Sequence, residues 1–218
     1  MQVSHESIYR SLFVQTRGSL RKELTAHLRT KRATRRPAGA RQPDGRGLRP
    51  GILNISQRPA EATDRAVPGH WEGDLVFGKY MSPVATLVER STRFVMLVAL
   101  PDGHKADVVA DALAAKITTL PAALARTLTW DQGHEMAAHT RFTKDTGIEV
   151  YFCDPKSPWQ RGSNENTNGL LRQYLPRRLD FRTLTQADFD AIADRLNGRP
   201  RQTLGFKTPS QALAEVLR

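Results

Sequence analysis

Three apolar segments follow one another between residues 70 and 100 and constrain the fold more than any other feature of this chain. Their sequences are HWEGDLVF, PVATLVER and TRFVMLVAL, and turn-prone residues separate them at Lys79–Pro83 and Ser91. Segments this short and this rich in Val, Leu and Phe are typical of β-strands. Because the connections are too short to hold a helix, the three strands are predicted to form an antiparallel meander.

Helices and strands alternate in the rest of the chain. Apolar spacings of three and four in KADVVADALAAKITTL predict a helix with Val109, Leu113 and Ile117 on its inner face. LTWD and EVYFCD are predicted as short strands around a helical segment. Two further helices are predicted, over 164–175 and after a capping box at Thr185–Asp188. This order indicates an α/β domain whose sheet begins antiparallel and continues through helical crossovers.

Basic residues are concentrated in the N-terminal part of the sequence. Residues 1–51 contain 12 of the 33 Lys and Arg and 3 of the 22 Asp and Glu, which gives a net charge of +9 against +2 for the remaining residues. The densest part, Arg29–Gly51, also contains Gly and Pro, which oppose regular structure. An extended basic arm of this kind suits DNA phosphates, and Arg32, Arg35 and Arg36 are predicted to bind them. The alternative is a solvated linker whose charge serves solubility.

Two short helices are predicted before this arm, over Ser4–Phe13 and along a stripe of Leu20, Leu24 and Leu28. The first of them, VSHESIYR, is similar to the recognition helix of a helix-turn-helix, in which small polar residues face base edges. Only three residues precede Ser4. Either the bracing helix is missing or this segment has another role.

Neither a membrane protein nor a secreted protein is expected. The longest apolar run, Phe94–Leu100, has seven residues, whereas a membrane-spanning helix needs about twenty. The first residues, MQVSHESIYR, lack the apolar stretch of a signal peptide, and Cys153 is the only cysteine. These features favour a reducing, cytoplasmic compartment and exclude a cysteine-rich zinc site.

Three carboxylates are candidates for chemistry. Strand alternation puts Glu72 and Asp74 on one face of the first strand and Trp71 on the other. Asp131 ends the LTWD strand, at the edge where an α/β sheet binds ligands. Glu165 lies in a helix whose first half is polar, and this polar end is not expected to serve packing. Each acid alone could be an exposed strand end or a helix N-terminal acid, but together with a cationic arm they favour phosphoryl transfer.

Carboxylates that lie close together repel one another unless a cation neutralises them. Oxygen ligands that leave open positions suit Mg²⁺ or Mn²⁺ better than zinc. Two such ions about 3.5–4 Å apart could polarise a phosphodiester, activate a water or 3′-hydroxyl and stabilise the leaving oxygen. Asp74, Asp131 and Glu165 are therefore predicted to bind two Mg²⁺ or Mn²⁺ ions.

Five motifs together resemble the signature blocks of one enzyme family. They are GHWEGDLVFGK, TLVERSTRFVMLVALP, LTWDQGHEM, VYFCDPKSPWQRGSNENTNGLLRQYLP and NGRPRQTLGFKTPSQAL. Through them, and from Val3 to the C-terminus, the chain is similar to transposases of the IS-thirty insertion-sequence family. The resemblance implies a ribonuclease-H-like integrase core with a catalytic Asp-Asp-Glu triad, here Asp74, Asp131 and Glu165. The 33 residues between the last two are similar to the family's spacing.

The resemblance also implies a role for each of these residues. Asp74 would bridge the two ions, and Asp131 and Glu165 would each complete one coordination shell. Arg172, seven residues after Glu165 on the same helical face, resembles the basic residue that holds DNA in this class, although it could be only a surface cation. Glu72 is not expected to be a primary ligand.

The loop before Glu165 is a further candidate for DNA contact. Trp159, Gln160 and Arg161 could stack on or clamp the DNA end, and Trp159 could equally be a core anchor. His134 is interpreted as a loop residue beside Asp131, and Cys153 as a core residue.

The function implied is that of a DNA transposase, which cleaves insertion-sequence ends with a metal ion and transfers the strand into target DNA. Its partners would be terminal inverted repeats, target DNA and further copies of itself, since two ends must be joined in one complex. The alternatives are a catalytically inactive DNA-binding remnant or regulator of transposition, and a general nuclease.

The resemblance divides the sequence into three parts. Residues 1–28 would be a partial helix-turn-helix, 29–66 a basic linker arm and 67–218 the ribonuclease-H-like catalytic domain. Family members usually begin with one or two helix-turn-helix units, so this chain is expected to be N-terminally shortened.

Overall fold

The computed structural model describes Glu23, residues 52–155 and residues 157–217. These residues form a six-stranded sheet flanked by helices. The strands are β1 (Leu53–Asn54), β2 (His70–Phe77), β3 (Pro83–Glu89), β4 (Val95–Ala99), β5 (Thr127–Trp130) and β6 (Glu149–Phe152). Their order across the sheet is β1-β6-β5-β2-β3-β4.

Strands β2, β3 and β4 pair antiparallel, as the short connections between them predicted. Strands β5 and β6 are reached through helical connections and are parallel to β2. The sheet therefore begins antiparallel and continues parallel, and the predicted α/β fold class is confirmed.

Helices cover both faces of the sheet. They are α1 (Ala60–Asp64), α2 (Ala106–Ile117), α3 (His139–Thr146), α4 (Gly162–Leu171), α5 (Gln186–Asn197) and α6 (Pro209–Val216). Helices α2 and α3 contribute to one buried apolar cluster, and α4 and α5 contribute to the other. None of the described helices is both long and apolar enough to cross a membrane.

The alternation of β2 determines which side chains enter which layer. Trp71 and Leu75 pack with α2 in one cluster, whereas Val76 packs with α4 and α5 in the other. This is the face assignment that the period of two predicted. The predicted capping box is also present, since the Thr185 side chain accepts a hydrogen bond from the Asp188 backbone and α5 begins one residue later.

Gly73 allows β5 to pack closely against β2. A Cβ at this position would overlap the ring of Trp130, which is fully buried. The indole therefore lies directly against the β2 backbone, where any other residue would displace it. This contact holds the end of β5, and Asp131 after it, beside Asp74.

Two short elements lie in the segment predicted as a linker. β1 pairs parallel with β6, with Leu53 opposite Tyr151, and α1 follows it. The sheet thus begins before residue 67, while the predicted division of the chain into three parts stays a prediction. The predicted N-terminal helices and Arg32, Arg35 and Arg36 lie outside the described residues.

Candidate active site

Asp74 lies in the second half of β2, and its side chain is only 24% exposed. Both oxygens of its carboxylate are held. Oδ1 accepts a hydrogen bond from the backbone N–H of Leu75 at 2.9 Å, and Oδ2 accepts one from Nδ2 of Asn168 on α4, also at 2.9 Å. Burial raises the pKa of Asp74 above its usual value, Arg161 opposes this rise, and Asp131 adds to it.

Asp131 follows β5 directly and lies beside Asp74 because of the strand register. Glu72 of β2 is opposite Thr129 of the parallel strand β5, so the residues two positions further on reach the same edge of the sheet. Oδ1 of Asp131 accepts a hydrogen bond from the Gly133 N–H at 2.9 Å. The side chain is 42% exposed, so the second oxygen, Oδ2, is partly accessible to solvent.

Arg161 joins these two carboxylates. Its Nη1 lies 3.4 Å from Asp74 Oδ1, and its Nη2 donates to Asp131 Oδ2 at 3.2 Å. Nη1 also donates to the Gly73 carbonyl at 2.8 Å. Burial lowers the pKa of Arg161, but the two carboxylates outweigh burial and leave the pKa raised. The guanidinium is buried because three acceptors converge on it, and the predicted contact of Arg161 with DNA stays a prediction.

Glu165 is exposed on α4. Arg161 precedes it by four residues and Asn168 follows it by three, and both of those side chains contact Asp74. Residues three apart lie close together on a helix, so Glu165 is a near neighbour of Asn168 on α4. Within the described residues, however, no three His, Cys, Asp or Glu side chains are grouped closely enough to hold a metal ion.

Glu72 is fully buried and is tied into the fold. Its carboxylate is bonded to Arg90 and accepts a hydrogen bond from the Asn164 N–H at 2.9 Å. The Asn164 side chain also donates to the Glu72 carbonyl at 2.8 Å. The expectation that the polar end of this helix does not serve packing was wrong. Ser163, Asn164 and Thr167 are buried, because hydrogen bonds to β2, to β3 and within α4 satisfy their polar atoms.

The other predicted residues lie in different environments. Arg172 is half-buried and donates to the Phe77 carbonyl at 3.0 Å, at the end of β2. Trp159 is 73% exposed in the turn before α4, so it is not a core anchor. His134 begins a short 3₁₀ turn three residues after Asp131. Cys153 is buried, and burial raises its pKa to about 12, which agrees with a core role.

The donor atoms at this edge fit a hard divalent cation. Asp74 and Asp131 supply carboxylate oxygens, and Oδ1 of Asn168 is buried without a hydrogen-bond partner among the described residues. All these donors are oxygen, which is the ligand type that Mg²⁺ and Mn²⁺ prefer. The guanidinium of Arg161 lies against both carboxylates, which indicates that positive charge is favourable at this point.

Sequence pattern alone identified the three acids but missed Arg161 and Asn168 as their neighbours. The signal for Asn168 is its spacing of three from Glu165 on a helix with a polar first half. For Arg161, the only signal is its position immediately before that helix. Neither signal specifies which strand the side chain reaches.

Comparisons with known proteins show what this chain is similar to. Residues 64–158 match the family described as Integrase core domain. The chain is 51% identical, over its full length, to the transposase for insertion sequence element IS1086 of Cupriavidus metallidurans, and covers 64% of that protein. It is 43% identical to the transposase InsI for insertion sequence element IS30A of Escherichia coli, over 98% of this chain and 56% of that protein. The chain thus spans less than two thirds of the length of these relatives.

A solved structure supports the fold. The catalytic core domain of BIV integrase matches with a TM-score of 0.51 at 21% identity, over 67% of this chain and 94% of that one. This likeness confirms the predicted ribonuclease-H-like fold. The relatives above confirm the predicted resemblance to insertion-sequence transposases. The chain therefore contains an integrase core domain and is homologous over its whole length to the IS-thirty family of insertion-sequence transposases.

Proposed function

We propose that this chain is the catalytic core of an Asp-Asp-Glu transposase, which cleaves insertion-sequence ends and joins them to target DNA. The observation that carries this proposal is the arrangement of its acids. Asp74 and Asp131 come from neighbouring parallel strands and share one cationic group at the sheet edge. Glu165 lies on the same helix as Asn168, which donates to Asp74, and the family motif adds Glu165 to the proposed site.

Asp74, Asp131 and Glu165 would hold Mg²⁺ or Mn²⁺, with two ions in the complete site. When bound, the metal polarises the phosphodiester and lowers the pKa of the attacking hydroxyl. The chain itself positions the ligands. The N–H groups of Leu75 and Gly133 each hold one carboxylate oxygen, so that the remaining oxygens point in a defined direction.

DNA would cross the surface around α4. Trp159, exposed in the turn before this helix, can stack on an unpaired base at the DNA end. Arg172 lies at the other end of α4 and can contact a phosphate with its remaining N–H groups. Terminal inverted repeats and target DNA are the proposed substrates, a homo-oligomer the proposed assembly and the bacterial cytoplasm, on the nucleoid when DNA is bound, the proposed location.

The proposal is tested by nicking and strand transfer on oligonucleotides that carry the ends of the element, with Mg²⁺ or Mn²⁺. Asp74→Asn, Asp131→Asn and Glu165→Gln should each reduce the rate by about 10²-fold or more, since each removes a metal-binding charge. DNA binding should persist in all three variants. Asp194→Asn, an exposed residue of α5, is the matched control and should retain the wild-type rate.

A catalytically inactive regulator that occupies the ends is the second candidate. It is favoured by the pairing of both aspartates with Arg161, which offsets one of their two negative charges without a metal. Tight DNA binding without turnover by the folded wild-type chain would support the regulator and contradict the transposase.

A further inference from the structure

A second charged region lies on another side of α4. It is a pocket of about 200 Å³. Arg65, at the end of α1, Arg93, in the β3–β4 turn, and Arg201, after α5, supply its positive charge. Ser163, Asn166 and Thr167 of α4 complete the lining that matters for recognition. We call this the arginine pocket.

Among the described residues, no acid forms an ion pair with these arginines. None of the described residues that line the pocket is Asp or Glu. Within residues 52–155 and 157–217, none of the three arginines has a carboxylate within ion-pair distance. Two buried acids act on Arg93, and both have other partners: Glu72 is paired with Arg90, and Glu89 accepts hydrogen bonds from the Gly69 and Thr92 N–H groups. The pocket therefore holds cations whose charge the described part of the chain does not neutralise.

Most of the guanidinium donors in the pocket are also unused. Arg93 donates to the Ser163 hydroxyl, and Nη2 of Arg201 donates to the Leu196 carbonyl at 3.2 Å. Nε of Arg201 is buried without a partner among the described residues. Each guanidinium has five N–H donors. A group with several acceptor oxygens and negative charge would satisfy both the charge and the donors.

The electrostatics of the pocket favour an anionic ligand. Burial lowers the pKa of Arg93 and nearby Arg65 lowers it further, while Glu72 and Glu89 only partly oppose this. Burial and then Arg199 lower the pKa of Arg201 in the same way. Like charges held together in a partly buried pocket disfavour each other, and a bound anion reverses this effect.

The backbone near the pocket is consistent with a role for these side chains. Arg65 and Arg93 both have a φ of 61°, in the left-handed region. Glycine adopts this conformation without a steric cost, and arginine does not. Gly162 and Ser163, in the first turn of α4, also line the pocket, where the partial positive charge of a helix favours an anion.

One helix carries both charged regions. Arg161, directly before α4, and Asn168 within it contact Asp74, whereas Ser163, Asn166 and Thr167 line the pocket. We propose that the arginine pocket binds a backbone phosphate of the DNA, one that is not cleaved, and so positions the strand relative to the acids. This proposal rests on the proposed function, since it takes the ligand to be DNA.

The test compares DNA affinity between two variants that lose the same charge. The pocket variant carries three substitutions: Arg65→Gln, Arg93→Gln and Arg201→Gln. The matched control carries three at exposed arginines elsewhere: Arg126→Gln, Arg141→Gln and Arg182→Gln. Binding is measured by fluorescence anisotropy in EDTA over a range of salt concentrations, and the fold of each variant is checked by circular dichroism.

We expect the pocket variant to bind DNA about tenfold more weakly or worse than the control, as for the loss of a charge-assisted hydrogen bond. The slope of log K against log salt concentration should become shallower by about 0.9, the value for one phosphate contact. A neutral methylphosphonate, placed at one linkage at a time, should weaken binding of the wild-type chain at one position and have no effect there on the pocket variant. Equal affinities and salt slopes for the two variants would overturn the proposal.

Inorganic phosphate distinguishes the sources of the anion. At equal ionic strength, phosphate should raise the Tm of the wild-type chain more than chloride does, and should not do so for the pocket variant. If phosphate stabilises the wild-type chain while DNA binding is unchanged in the pocket variant, the pocket binds free phosphate and the proposal is wrong. Because binding is measured without metal, a chain that binds DNA but never cleaves it contradicts the proposed function alone.

Discussion

The two charged regions beside α4 differ in how their charges are balanced. At the acid edge, formed by Asp74, Asp131 and Arg161, each charge has an opposite partner within the chain. In the arginine pocket, three cations have no carboxylate among the described residues that line it. This difference in internal charge partners indicates which region favours an external ligand. At the acid edge one guanidinium offsets part of the charge of two carboxylates, so an incoming cation competes with it, whereas the arginine pocket has no carboxylate among its described lining residues.

If ion pairing determines which arginines stabilise the fold, replacing the arginine of the most buried pair should cause the largest loss of unfolding free energy. Arg90 is bonded to Glu72, which is fully buried. Arg90→Gln leaves that carboxylate uncompensated and should reduce the free energy of unfolding by about 3–5 kcal/mol. Urea denaturation measures the loss, with Arg141→Gln on α3 as an exposed control that should change it by less than about 1 kcal/mol. A loss no larger than the control's would break the comparison.

Replacing the arginine of the acid edge should cause an intermediate loss of unfolding free energy. Arg161→Gln should reduce the free energy of unfolding by about 2–3 kcal/mol, below the fully buried case because Asp131 is 42% exposed. Millimolar Mg²⁺ should then stabilise this variant more than the wild-type chain, because the ion no longer competes with the guanidinium. Thermal unfolding with and without Mg²⁺ measures this, and an equal response of both chains would contradict the assignment of Asp74 and Asp131 as metal ligands.

The arginine pocket should show the smallest effect on stability. Arg93→Gln and Arg201→Gln each remove a cation that has no carboxylate partner, so the free energy of unfolding should change by less than about 1 kcal/mol in either direction. The same urea experiment measures it. A loss as large as that of Arg90→Gln would mean that the pocket arginines support the fold, and the contrast between the two regions would disappear.

Periodicity was sufficient to predict strands β2 to β6 and the orientation of β2 side chains, but not β1, which has only two residues. The alternation in β2 separates Trp71 from Glu72 and Asp74, because a strand side chain has only two directions available. The apolar spacing in α2 likewise predicts its inner face, because a helix repeats every 3.6 residues. The interpretation of α4 was wrong where polarity was taken to mean exposure, since Asn164 is buried and satisfies its amide on Glu72. Composition cannot distinguish a solvated amide from a bonded one.

By itself, the sequence determined the order of five strands and four helices, the layers of the apolar side chains in β2 and α2 and the identity of the three candidate acids, but not β1, α1 or α6. Only the tertiary structure decided that Arg161 turns inward to two aspartates and that Arg65, Arg93 and Arg201 line one pocket. The physical reason is the sequence separation between the residues that interact. Alternation depends on neighbouring residues along the chain, whereas charge pairing depends on distances between residues up to 136 positions apart, which are set when the layers pack.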